Sequence, residues 1–115
     1  KTLLGGDDAL LLPTIAVGGH GIVSVAGNVV PGPMRELLMA ARASDLEAAQ
    51  RQQATLQPLF EALNLEPNPI PIKAALALAG MAYSAPRLPL LSATEATRIA
   101  LRPALQQTRS LTIHV

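Results

Sequence analysis

Cysteine and tryptophan are missing from the sequence, and the aromatic residues are one phenylalanine, Phe60, and one tyrosine, Tyr83. Without cysteine there is neither a disulfide staple nor a thiolate metal site, which agrees with a reducing compartment and points to the cytoplasm. With so few rings the core must be built from Leu, Ala, Val and Ile, and base stacking on nucleic acid has little to work with. Charge is also scarce: charged residues make up 15% of the chain, against roughly 25% in ordinary domains. Nine basic residues face eight acidic ones, for a net charge of +1. That balance leaves no electrostatic footprint for DNA, RNA or an anionic membrane, and fits a small neutral or anionic ligand better. Long apolar runs are missing as well. The longest, about Ala74 to Ala82, falls far short of the ~20 residues that a membrane span requires. No basic-then-apolar leader opens the chain, and the start at Lys1 reads as a cut inside a longer protein.

What remains is apolar material, 50% of a chain of 115 residues, arranged with clear punctuation. Thr2-Leu3-Leu4 is a short apolar run, Gly5-Gly6 a turn, Asp7-Asp8 a cap, and Ala9 to Val17 a helical stretch. Pro13 either kinks that helix or marks its first turn. Gly18-Gly19 stops it, and Ile22 to Ala26 reads as a buried strand. Two strands joined through a helix are parallel and call for further parallel neighbours, which the rest of the sequence does not offer. From Pro33 onward the pattern is helical: Met34, Leu37, Leu38 and Ala41 recur at helical spacing up to Ser44. Ser44-Asp45-Leu46-Glu47 has the form of a capping box for a second helix, with Leu46, Ala49, Gln53, Leu56, Phe60 and Leu63 in one stripe and a bend expected at Pro58. Asn64 to Pro71 is expected to be a stiff extended connector, Ile72 to Ala79 a helix stopped at Gly80, and Ser92-Ala93-Thr94-Glu95 a second capping box ahead of a last helix to about Gln107.

Few residues have the chemistry of a site. Gly18-Gly19-His20-Gly21 closes a helix and opens a strand, the reverse of a phosphate-binding loop. His20 has no partner at metal-ligand spacing and His114 sits in the tail, so no metal site is expected. Asp7 and Asp8 stand at the C-terminal end of a strand, where barrel enzymes keep their sites, yet capping is the more ordinary use of such aspartates. Lys73 in a first helical turn opposes the macrodipole and calls for an acidic partner. Its place after a proline connector, with no evident desolvating pocket, weighs against a Schiff-base amine.

Three motifs in order, Gly6-Asp7-Asp8-Ala9, then Gly18 to Val25 with Asn28, then Glu66 to Lys73, resemble the dihydrodipicolinate synthase family, within the wider superfamily of N-acetylneuraminate lyase. The third motif separates it from that lyase. Arg87-Leu88-Pro89-Leu90 resembles a further signature, so the likeness runs from about Thr2 to Leu105. It implies an α/β fold: a partial TIM barrel, its last two βα units over residues 1–44, followed by a C-terminal three-helix domain over 45–108, with a divergent tail at 109–115.

By the same resemblance the activity is that of a lyase in which a lysine on an upstream strand forms an imine with pyruvate, a tyrosine relays protons, and the enamine attacks aspartate semialdehyde, in lysine and diaminopimelate biosynthesis. No cofactor is implied, and family members are commonly homotetramers. Val23 takes the place of the aliphatic residue whose backbone carbonyl lines the pyruvate site, and Gly6 that of a glycine at the pocket wall. The matching catalytic residues lie upstream of Lys1, so the isolated chain is expected to be inactive. The alternative is a truncated, non-catalytic helical assembly module. Unpaired strand edges with little charge predict self-association.

Overall fold

A computed structural model describes residues 1–81 and 85–112, the last four as helical backbone. The fold is mostly helical, with two short parallel strands, β1 (Leu4–Gly5) and β2 (Gly21–Ile22). Leu4 aligns with Gly21 and Gly5 with Ile22. A 3-10 turn at Asp8–Leu10 leads into α1 (Leu11–Ala16) between the strands, and another at Ala26–Asn28 leads from β2 to α2 (Pro31–Arg42). The long helices α3 (Leu46–Leu63) and α5 (Glu95–Thr112) and the shorter α4 (Ile70–Leu78) complete it. Pro13 sits in the first turn of α1, where a missing amide costs nothing.

A single core joins the strand-bearing and helical portions. Leu56, Leu59, Phe60 and Leu63 of α3 are buried against Leu37 of α2 and Leu101, Ala104 and Leu105 of α5, with Leu11, Ala26 and Ala75 in the same cluster. The stripe expected on α3 holds from Ala49 to Leu63, but Leu46 stands 63% exposed. In the first turn of α3 it lines an open apolar depression together with Leu12, Ile15 and Ala41. Pro58 does not interrupt α3. It lies on the exposed side of the helix, as does Ala54 one turn before it, whose carbonyl has no amide to accept from at Pro58.

Several boundaries differ from the sequence reading for reasons visible in the hydrogen bonds. β2 ends at Ile22 rather than Ala26, because Ser24 and Ala26 turn out of the ladder to meet the Asp8 carboxylate. The expected extended connector is instead a turn, closed by the Ile70 amide on the Pro67 carbonyl at 2.9 Å, and α4 begins two residues earlier than expected, with Pro71 inside it. Neither capping box forms as anticipated. The side chain of Asp45, not Ser44, accepts from the Ala48 amide at 3.1 Å, and α5 is capped by Thr94, not Ser92. Of the tail expected at 109–115, the first four residues continue α5, and residues 113–115 lie outside the described residues.

Ser44 is displaced from its capping role because it ends the preceding helix. Its amide bonds the Ala41 carbonyl at 3.2 Å, the Asp45 amide reaches back to Ala40 at 3.0 Å, and Ser44 itself has φ 59°. This is the Schellman pattern. Helices α1 and α4 end in the same way, with Gly18 (φ 95°) and Gly80 (φ 69°) at the equivalent place. A side chain in the left-handed region costs roughly 1–2 kcal/mol, part of which glycine gives back through its larger unfolded-state entropy. Ser44→Gly is therefore expected to stabilise the chain by roughly 0.5–1 kcal/mol, read as a higher urea midpoint at unchanged slope. An unchanged or lower midpoint would show that Ser44 is not strained.

Candidate functional site

The two strands deliver their C-terminal ends side by side. Gly6 follows β1 and Val23 follows β2, and the Val23 amide donates to the Gly5 carbonyl at 2.9 Å, one step beyond the paired residues. At the opposite end the ladder is extended by His20, whose amide donates to the Leu3 carbonyl at 2.8 Å while its Nδ1 accepts from the Leu3 amide at 3.0 Å. His20 is thus a structural side chain of the strand pair. The β-branched side chain of Val23 is 66% exposed, so what Val23 offers to this end of the sheet is its backbone.

Beside Gly6 opens a cavity of about 290 Å³ lined by Gly6, Asp7, Asp8, Val25, Leu63, Asn64 and Asn68. It combines two carboxylates, two carboxamides and an apolar floor at the strand ends. Gly6 shapes its wall by having no side chain: a Cβ there would meet nothing within 4 Å and would project into open space. Val23 stands near this cavity across the ladder without lining it. A larger depression of about 470 Å³ between α1, α2 and α3 is apolar, with Ser44 its one polar lining residue, and holds no group that could carry chemistry. Among the described residues no three His, Cys, Asp or Glu side chains gather closely enough to hold a metal ion.

The adjacent aspartates do different work. Asp7 is an ordinary cap, its Oδ1 accepting from the Ala9 amide at 3.1 Å. Asp8 reaches across to the other strand, accepting the Ser24 hydroxyl on Oδ1 and the Ala26 amide on Oδ2 at 2.9 Å. Ser24 Oγ in turn accepts from the Gly27 amide at 2.8 Å. Capping, the ordinary use of such aspartates, accounts for Asp7 but not for the link that Asp8 makes to Ser24 and Ala26. The available signal was Ser24, a lone hydroxyl in an apolar segment. The acidic partner expected for Lys73 does not exist among the described residues: Lys73 lies half-buried on α4, Glu95 pairs instead with Arg102 at 3.6 Å, and no ion pair includes Lys73.

Glu66 is the acid that the helical portion uses. Its Oε2 accepts from the Thr97 hydroxyl at 2.5 Å and from the amide and hydroxyl of Thr94 at 3.0 and 3.3 Å, which ties the α3–α4 turn to the first turn of α5. The bond from Thr97, then that from the Thr94 amide, hold the Glu66 carboxyl below the ordinary glutamate range. Negative charge at the N-terminus of α5 is favourable there as well.

Two short parallel strands set in a helical body, with a polar cavity beside their C-terminal ends, give an α/β arrangement whose candidate site lies at the strand ends. The chain belongs to the dihydrodipicolinate synthetase family, whose profile it matches over residues 1–108. It is 48% identical over 104 residues to the 4-hydroxy-tetrahydrodipicolinate synthase of Cyanothece sp., covering 90% of this chain and 35% of that relative. Against the enzyme of the same name from Methanopyrus kandleri it is 49% identical over 105 residues, covering 91% and 35%. The solved dihydrodipicolinate synthase of Thermotoga maritima superposes with a TM-score of 0.90 at 38% identity, over 94% of this chain and 37% of that one. The chain thus spans about 35% of the length of the relatives it matches.

The Glu66 clamp generates a pH dependence of defined sign. A carboxyl whose folded value lies below its unfolded one contributes its full stability above the unfolded value, about 4.3, and loses it as the pH falls through the folded value. Thermal melts taken between about pH 6 and pH 3 should show a smaller loss for Glu66→Gln than for the native chain. Equal losses would mean that Glu66 does not couple α5 to protonation.

Proposed function

We propose that this chain is the C-terminal portion of a pyruvate-dependent lyase that condenses pyruvate with aspartate semialdehyde. In this reading residues 1–44 supply the last two βα units of a TIM barrel and residues 45–108 a helical domain behind them, and the chain alone does not carry out the reaction. The observation that carries it is the pairing of Gly6 and Val23 at the C-terminal ends of adjacent parallel strands, beside a polar cavity that no lysine lines.

The chemistry assigns simple tasks to these residues. Condensation through an imine needs a desolvated amine, and that amine comes from elsewhere in the enzyme. The Val23 backbone carbonyl supplies an acceptor, placing partial negative charge beside a carbon that becomes cationic in the protonated imine. Gly6 keeps the pocket wall clear for substrate. Exposed apolar residues support the same reading: Leu3, Leu4, Val17 and Val23 stand open to solvent in and around the strands. An assembly module would bare apolar surface too, but would have no use for an open polar cavity at the strand ends.

Borohydride trapping with labelled pyruvate tests this. The isolated chain is expected to gain no mass, and a stable adduct on Lys73 would overturn the proposal. Mixed with the two thirds of the Cyanothece enzyme that it does not match, the chain is expected to form a complex in which imine is trapped on the complementary piece. A complex that forms without imine would favour the assembly module.

A further inference from the structure

Asp8 spends both carboxylate oxygens on one short segment of chain. Oδ1 takes the Ser24 hydroxyl and Oδ2 the Ala26 amide at 2.9 Å, while the Gly27 amide closes on Ser24 Oγ at 2.8 Å. Hydrogen bonds to an ionised carboxylate are about twice as strong as neutral ones, and Asp8 is half-buried, so this link is harder to replace by water than a surface contact. Turn closure at β1 does not require it, because Asp7 already caps the Asp8–Leu10 turn.

Val23 sits between two anchors. On its N-terminal side its own amide is fixed to the Gly5 carbonyl at 2.9 Å, and on its C-terminal side Ser24 is fixed to Asp8. The direction of the Val23 carbonyl depends on its own ψ and on φ of Ser24, and these are the torsions that lie between the anchors. The geometry points to Asp8 as the positioning residue that aims the Val23 carbonyl at the substrate pocket, acting through Ser24 and Ala26. This rests on the reading of Val23 as a pyruvate-site residue. Asp8 itself touches no reacting atom in this role. Loosening the second anchor lets the carbonyl swing, and a misplacement of about 1 Å at a bound group is costly.

The full chain, reconstituted with the complementary two thirds of the Cyanothece enzyme, provides the test. If the native chain gives no trapped imine, the lyase reading fails and this inference falls with it. With imine formed, Asp8→Ala is expected to raise the KM for pyruvate on the order of tenfold while leaving that for aspartate semialdehyde in place. Asp8→Asn, which keeps an acceptor for the Ala26 amide, should fall between. Ser24→Ala removes one hydroxyl and leaves the Ala26 bond, so it provides the same readout at lower risk to folding, with a smaller rise in the same constant. Unchanged pyruvate KM in Asp8→Ala and Ser24→Ala, or equal changes for both substrates, would refute a positioning role while leaving the lyase reading intact.

Discussion

Phe60 is 1% exposed in a chain with almost no other aromatic surface, and it stands on the helix against which the rest is assembled. Around it Leu56, Leu59 and Leu63 of α3 meet α2 on one side and α5 on the other. Each such side chain contributes roughly 1.5–3 kcal/mol when taken fully out of water. Strands of two residues contribute almost nothing of the kind and cannot stand unsupported. The strand ends, and with them the cavity beside Gly6, therefore keep their places because α3 holds the Ala26–Asn28 turn and the Asp8–Leu10 turn in the same core. Leu63 expresses this dependence in one residue, since it belongs to the core and also lines the cavity.

Two carboxylates carry the packing over to the polar parts. Glu66 draws the first turn of α5 onto the α3–α4 turn, and Asp8 draws the exit of β2 onto the exit of β1. Both accept several donors at once, and both join segments distant in sequence, 28 to 31 residues apart for Glu66 and 16 to 18 for Asp8. The exposed ion pairs, Arg51–Glu47 and Arg102–Glu95, are of the solvated kind that adds little.

The helical pattern was legible in the sequence because burial follows period. Leu56, Phe60 and Leu63 occupy the face their spacing predicts, and Gly18 and Gly80 end helices where glycine is expected. Boundaries were less legible because neighbouring residues competed for one role. Ser44 and Asp45 are both good caps; Asp45 won because Ser44 was taken up, at positive φ, in ending α2. Ser92 and Thr94 competed likewise, and the Glu66 carboxylate favoured Thr94 by bonding its amide. The site was readable only as a position. Gly6 was legible as a turn residue after the first strand and Val23 as part of a strand over Ile22 to Ala26, with their site roles implied by resemblance alone, whereas the link from Asp8 to Ser24 joins residues whose approach depends on the parallel register, a long-range property that no local pattern encodes.

The same register determines how much of a site this chain can form. Each strand is paired on one edge, and the exposed Leu3, Leu4 and Val23 flank a sheet with no neighbours among the described residues. Parallel strands are ordinarily covered on both faces and paired on both edges, because their apolar side chains and open amides are costly in water. The cavity at the end of this pair is lined by Gly6, Val25 and Leu63 together with the carboxylates of Asp7 and Asp8 and the carboxamides of Asn64 and Asn68, and no lysine among the described residues lines it. Enclosure is what lowers an amine's pKa and excludes water from an imine, and a cavity open beside a two-stranded sheet supplies neither by itself.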